Sequence, residues 1–224
     1  MNMIDQFSFI RKSTETLGGI YEMLADLPAL KLEDLPAGET ALVIIDMING
    51  FAREGVLSSP RVGALIPAIA GLSEKCGEIG MQKLAFADSH TGKSPEFGAY
   101  PPHCMTGTSE SEIVDELKTV GGYLLISKNS TNGFHEKNFQ DWLGQNSGIR
   151  NFIITGDCTD ICIQQFAVTL KAWFNMRNEN SRIIVPVNTV DTFDLGLHDA
   201  DLLNAVTLFS MTGNGIELVS AVED

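Results

Sequence analysis

The stretch Phe152–Ile163, FIITGDCTDICI, joins a short apolar run to a segment with helical spacing. Phe152–Thr155 lacks the polar alternation of a half-exposed strand, as expected of a strand buried on both faces of a parallel sheet. From Asp160 to Trp173, Ile161, Gln165, Val168 and Ala172 fall in one helical register. A buried strand that passes through Gly156 into a helix is the unit from which parallel sheets are wound.

The same unit recurs on either side. Ala41–Ile45, Leu84–Ala87, Tyr123–Ile126 and Ile183–Val185 are further short apolar runs, and Ile216–Val219 is a sixth candidate strand. Between them, Arg61–Ile79 and Ser109–Leu117 carry helical spacing. The alternation predicts an α/β fold: a doubly wound, mainly parallel six-stranded sheet with helices on both faces and right-handed crossovers. Residues 1–38 are the one separable piece, a helical extension with a helix around Thr14–Leu27, leading through Pro28 and Pro36 into the first strand of a domain spanning 39–224. That extension is expected to serve as an oligomer contact or a lid, and a homo-oligomer is expected.

Composition narrows the partners. The formal charge of −14 repels phosphate backbones and anionic membrane surfaces, which argues against nucleic acid or membrane as partner. There is no apolar run of the roughly 20 residues needed to span a bilayer, and Met1–Lys12 does not read as a leader, so a cytoplasmic protein is expected. Four cysteines in 224 residues are too few for a disulfide scaffold. Reduced thiols remain available for chemistry.

An open parallel sheet binds its ligand beyond the carboxyl ends of its strands, so the residues that follow each apolar run are the ones to inspect. The first run leads to Asp46, the second to Asp88, the third to Lys128, and the fourth through Gly156 to Thr159, Asp160 and Cys162. Each interval fits about one βαβ unit. Thr159 or Asp160 is placed to cap the following helix. In its first turn the Cys162 thiol meets the positive end of the helix dipole, which favours thiolate, and the N–H groups of Cys158 and Cys162 are candidates to hold an oxyanion. Asp46 is positioned to take the thiol proton and later deliver it to a leaving amine, with Lys128 stabilising negative charge. The alternatives are a small buried cysteine and a structural salt bridge at the sheet edge.

Ala87–Cys104 holds a second constellation. Asp88 and His90 are two apart, so on a persisting strand they share a side. A loop with Gly92, Pro95, Gly98, Pro101 and Pro102 then returns Glu96 and His103. Two imidazoles and one or two carboxylates suit one divalent transition metal, with Zn, Mn and Fe equally compatible. His135 and His198 read as surface residues.

These residues together resemble the isochorismatase-like cysteine hydrolases, and within them the nicotinamidases. Val43–Phe51 (VIIDMINGF) is similar to the first strand of that family with its aspartate. Ala87–His90 (ADSH), Tyr100–Cys104 (YPPHC) and Gly107–Thr108 resemble the nicotinamidase metal loop. Lys128 with Phe134 six residues on, and Gly156–Ile163 (GDCTDICI), complete a pattern covering most of residues 40–220. The resemblance implies an Asp46, Lys128 and Cys162 triad, a cis peptide between Asp157 and Cys158, and Asp88, His90, Glu96 and His103 as metal ligands. It further implies a small amide substrate, nicotinamide, with Phe51, Tyr100 and Phe134 around the ring, hydrolysed to nicotinate and ammonia in NAD salvage.

Two departures stand out. Cys158 replaces a small aliphatic residue and puts a second thiol near the nucleophile, which hints at oxidative sensitivity, and Gly50 stands where many relatives carry an acid. A hydrolase for another small amide or ureide, and a non-catalytic binding or redox-responsive relative, remain the competing expectations.

Overall fold

A computed structural model describes residues 4–224. Its sheet is built from β1 (Thr40–Ile45), β2 (Gln82–Asp88), β3 (Leu124–Lys128), β4 (Asn151–Asp157), β5 (Arg182–Pro186) and β6 (Glu217–Val219). They lie in the order β3-β2-β1-β4-β5-β6, with every pairing parallel. This is the doubly wound arrangement expected from the alternation, and the strand order reverses between β1 and β4. A two-residue strand, Val190–Asp191, adds to the end of β4.

Helices α1 (Gln6–Ala25), α2 (Pro60–Glu78), α3 (Lys137–Gln145), α4 (Gln164–Met176) and α5 (Ala200–Gly213) surround the sheet. Every residue of β1 is buried, because its two faces serve different cores. Ala41, Val43 and Ile45 join Phe86, Phe139, Phe152, Phe166 and Phe174 on the side of α3 and α4. Leu42 and Ile44 join Val62, Leu65, Ile69 and Leu72 of α2 on the other. Helix α2 begins where Ser59 accepts a hydrogen bond from the Arg61 N–H and Pro60 occupies the first turn, a position that wants no N–H partner.

Three local expectations change. Ser109–Leu117 splits into a 3-10 turn at Ser109–Ser111 and a helix at Asp115–Val120, because Ile48 and Ile113 form an extended bridge. Thr159–Ile163 forms a π turn before α4, so the buried stripe of that helix is Phe166, Ala167, Leu170 and Phe174 rather than the register through Gln165, Val168 and Ala172. The wider turn rotates the helix so that two phenylalanines meet the sheet. Helix α1 starts earlier than expected, where the Asp5 carboxylate caps the Ser8 N–H.

Helix α1 packs against α5 and supplies no residue to the cavity described below, so the lid expectation finds no contact among the described residues. Leu30–Lys31 pairs in parallel with Val222–Glu223, which ties the N-terminal segment to the end of the chain. No helix among the described residues is long and apolar enough to cross a membrane.

Candidate active site

Parallel register brings the strand ends to one level. Ile45 lies opposite Phe86 and Gly156, and Asp88 lies opposite Lys128, so Asp46, Asp88, Lys128 and Asp157 emerge together beside the β1/β4 crevice. Two backbone devices make the crossing close. Asp46 adopts φ +57, with its N–H bonded to the Phe86 carbonyl at 3.0 Å, which turns its carboxylate back across the strand ends. Gly156 sits at φ +116 with the Ile45 carbonyl 1.8 Å from where a Cβ would stand, so only glycine lets the backbones pass.

The Lys128 ammonium is wholly buried and lies 2.7 Å from an oxygen of Asp46, 2.7 Å from one of Asp88 and 3.7 Å from Cys162 Sγ. Burial alone would lower its pKa. The two carboxylates outweigh that cost and hold it well above the usual lysine value. Asp46 Oδ1 accepts from the Asp88 N–H at 3.0 Å, and its other oxygen faces the ammonium. Burial pushes the Asp46 carboxyl up to about 7, and the neighbouring Asp88 charge adds to this, against the Lys128 charge and a hydrogen bond with the Cys162 thiol. Lys128 and His90 overcome burial at Asp88 and keep that carboxyl low.

The structure therefore brings the expected acid, amine and thiol together. It corrects the expected activation of the thiol: burial raises the Cys162 pKa well above the usual thiol value despite Lys128, and the π turn rather than a regular helical first turn carries it. The Asp157–Cys158 peptide is cis, as the resemblance implies, and among the described residues the Cys158 N–H donates to no protein acceptor. Asp157 is fully buried, and its carboxyl is pushed well up by burial and the Asp46 charge.

Neither Thr159 nor Asp160 caps the helix. Asp160 instead accepts from Thr192 Oγ1 at 2.6 Å and meets His198 Nε2 at 2.9 Å. His198 is thus no free surface residue, and its ring stacks on Phe193. Neither Phe193 nor this linkage was legible in sequence, since the partners are 38 residues apart and follow no periodic pattern. His135 is exposed, as expected.

A narrow cavity above the strand ends is lined by Phe51, Leu57, Val62, Asp88, Glu96, Tyr100, His103, Thr131, Asp157, Cys158, Ile161, Cys162 and Phe193. Phe51 and Tyr100 line the cavity, with ring centroids 5.8 and 6.1 Å from that of His103. Phe134, expected beside them, is not among the lining residues: its ring packs against Phe139 and Phe166 in the core.

Beside the cavity, donor atoms of Asp88, His90 and His103 all lie within 4.8 Å of one another. His103 Nδ1 is 2.8 Å from the Pro101 carbonyl and His90 Nδ1 is 3.4 Å from Asn129 Oδ1, which orients each ring. His90 Nε2 is buried without a hydrogen-bond partner, 3.5 Å from Asp88 and 3.8 Å from Glu96. Glu96 lies just outside this trio, with its other oxygen accepting from the Thr131 N–H at 2.9 Å. An orphaned imidazole nitrogen facing two carboxylates is a donor set suited to a divalent transition metal.

The departure at Gly50 has a steric cause. A Cβ there would meet Cys104 Sγ at 2.5 Å, and the nearby acid is Glu110, which accepts from the Cys104 N–H at 2.8 Å.

The isochorismatase domain family matches residues 40–214 of this chain. Nicotinamidase 1 of Arabidopsis thaliana is 31% identical over 215 residues, covering 81% of this chain and 85% of that protein. The ureidoacrylate amidohydrolase RutB of Pseudomonas syringae is 27% identical over 188 residues, covering 67% and 75%. The crystal structure of a pyrazinamidase/nicotinamidase from Streptococcus mutans superposes with a TM-score of 0.69 at 21% identity, covering 80% of this chain and 99% of that one, a likeness of fold. Fold, strand-end residues and sequence likeness agree, and the chain belongs to the isochorismatase-like hydrolase family.

Proposed function

We propose that this protein is a metal-assisted cysteine amidohydrolase that converts nicotinamide to nicotinate and ammonia, in the service of NAD salvage. The observation that carries the reading is one cavity lined both by Cys162 and by Asp88 and His103, with Asp46 and Lys128 directly behind. The 31% identity to Nicotinamidase 1 supports the choice of amide.

Asp46 takes the Cys162 proton as the sulfur attacks the carboxamide carbon, and Lys128 offsets the charge on the sulfur. The carbonyl oxygen becomes an oxyanion held by the backbone N–H groups of Cys158 and Cys162. Asp46 returns its proton to the nitrogen, the C–N bond breaks and ammonia leaves a Cys162 thioester. Water then gives a proton to Asp46 and adds to the thioester; on collapse Asp46 returns that proton to the departing sulfur, restoring the thiol, and the acid released loses its own proton to solvent as nicotinate.

Asp88, His90, Glu96 and His103 would hold one ion of Zn, Mn or Fe, the trio fitting better than the more distant Glu96. Such an ion would supply Lewis-acid chemistry toward a ring nitrogen, with Phe51 and Tyr100 placed to flank the ring. The match to RutB favours a second reading, in which the same triad cleaves a ureide.

Ammonia release by purified protein supplied with nicotinamide, before chelation, after it, and after return of Zn, Mn or Fe, tests the proposal. Turnover that falls on chelation and recovers with metal is expected. No turnover with any metal, alongside cleavage of a ureidoacrylate, would transfer the assignment to the second reading.

A further inference from the structure

The segment that follows Val190–Asp191 leaves the sheet beside the nucleophile turn, because that short strand pairs with Gly156 and Asp157. Both oxygens of Asp160, inside that turn, are committed to it: Thr192 Oγ1 donates to one at 2.6 Å and His198 Nε2 faces the other at 2.9 Å. His198 Nδ1 lies 2.7 Å from the Phe193 carbonyl oxygen. The imidazole and the Phe193 ring stack face to face, with centroids 4.0 Å apart and planes 3° from parallel. The loop closes on itself through Leu195 N–H to the His198 carbonyl at 3.0 Å and His198 N–H to the Leu195 carbonyl at 2.9 Å.

Phe193 alone among these side chains reaches the cavity, where it forms wall together with Leu57 and Ile161. A phenyl ring has no group to donate or accept, so its effect there is on shape and on the apolar contact offered to a flat ligand. Its freedom is removed by His198, and His198 is held by the same turn that carries Cys162. The wall is therefore fixed relative to the sulfur, through a chain of contacts that includes no reacting atom.

We propose that Phe193 is a specificity-determining residue that fits the cavity to planar aromatic amides, and that His198 is a positioning residue that sets its ring. The substrate class rests on the function proposed above; the placement of the wall beside the thiol does not.

Steady-state kinetics of Phe193→Ala and His198→Ala with nicotinamide and with a small aliphatic amide test the specificity. Each variant should raise KM for nicotinamide about tenfold while kcat stays within about twofold. The ratio of aliphatic to aromatic turnover should rise in step. His198→Phe keeps the stack without either polar contact and should recover part of the loss. A fall in kcat at unchanged KM, or parallel losses on both amides, would overturn the proposal.

Alkylation of Cys162, followed by peptide mass mapping, separates this inference from the substrate assignment. Phe193→Ala and His198→Ala should slow reaction with N-phenylmaleimide severalfold relative to iodoacetamide, whether or not nicotinamide is turned over by the wild type. An equal change in both rates, or none, would refute the wall itself. Thermal melting of each variant checks that the fold is retained, and Phe193→Leu, which keeps most of the apolar volume, should lie between wild type and Phe193→Ala in both assays.

Discussion

The strand-end rim and the loops that wall the cavity are built on different physics. Asp46, Asp88 and Lys128 stand at the ends of adjacent parallel strands, almost wholly buried, and their spacing follows from hydrogen-bond register. Phe51 stands on the one-turn helix Asn49–Ala52, and Tyr100, His103 and Phe193 hang from loops, their rings in side-chain contacts. The rim has little freedom to change without unfolding the sheet, whereas the walls can be replaced piecemeal. Under the proposed function, reaction chemistry falls to the first region and substrate fit to the second, so substitutions in the two should separate in kinetics.

The sharpest break would come at the nucleophile. Cys162→Ala should lower kcat by at least about a thousandfold with the fold intact, read by ammonia release and by melting temperature. Retained turnover would remove the rim from the chemistry altogether.

Lys128→Met should fail in two ways. Turnover should fall by about 10²–10⁴-fold, because charge on the sulfur and on Asp46 loses its counterion. Stability should fall by about 3–5 kcal/mol, read from the denaturant midpoint, because Asp46 and Asp88 are left buried without their cation. Loss of activity at wild-type stability would mean that the pair of ion contacts is not the structural hub described here.

His103→Ala tests the boundary between the regions. It should lower metal content and reduce nicotinamide turnover by about 10–100-fold while leaving alkylation of Cys162 by iodoacetamide within about twofold of wild type. The smallest effect is expected from Tyr100→Leu, which should raise KM severalfold at nearly constant kcat through loss of one aromatic contact. If Tyr100→Leu cuts kcat as deeply as Lys128→Met, rim and wall are not separable.

What could be read without coordinates follows the same division. A strand buried on both faces is written as an uninterrupted apolar run, and a charged residue closing such a run announces itself; Asp46, Asp88 and Lys128 were legible for that reason. The Asp-x-His step with a returning histidine was legible as donor chemistry. Phe134 misled because an aromatic near a functional lysine carries the same letters whether it faces the cavity or Phe139. The π turn at Thr159–Ile163 leaves no mark in periodicity yet rotates α4 and changes which residues are buried. Position at a helix start says nothing of burial, which raises the Cys162 pKa against the Lys128 charge. The Asp160–His198–Phe193 linkage was invisible because loop contacts have no period.

Rapid-quench mass spectrometry of the enzyme during nicotinamide turnover addresses the central claim most directly. A pyridinecarbonyl adduct on the peptide carrying Cys162, absent when nicotinamide is omitted and absent in Cys162→Ala, is the predicted result. Ammonia released at the wild-type rate by Cys162→Ala, or an adduct carried by Cys158 instead, would contradict it.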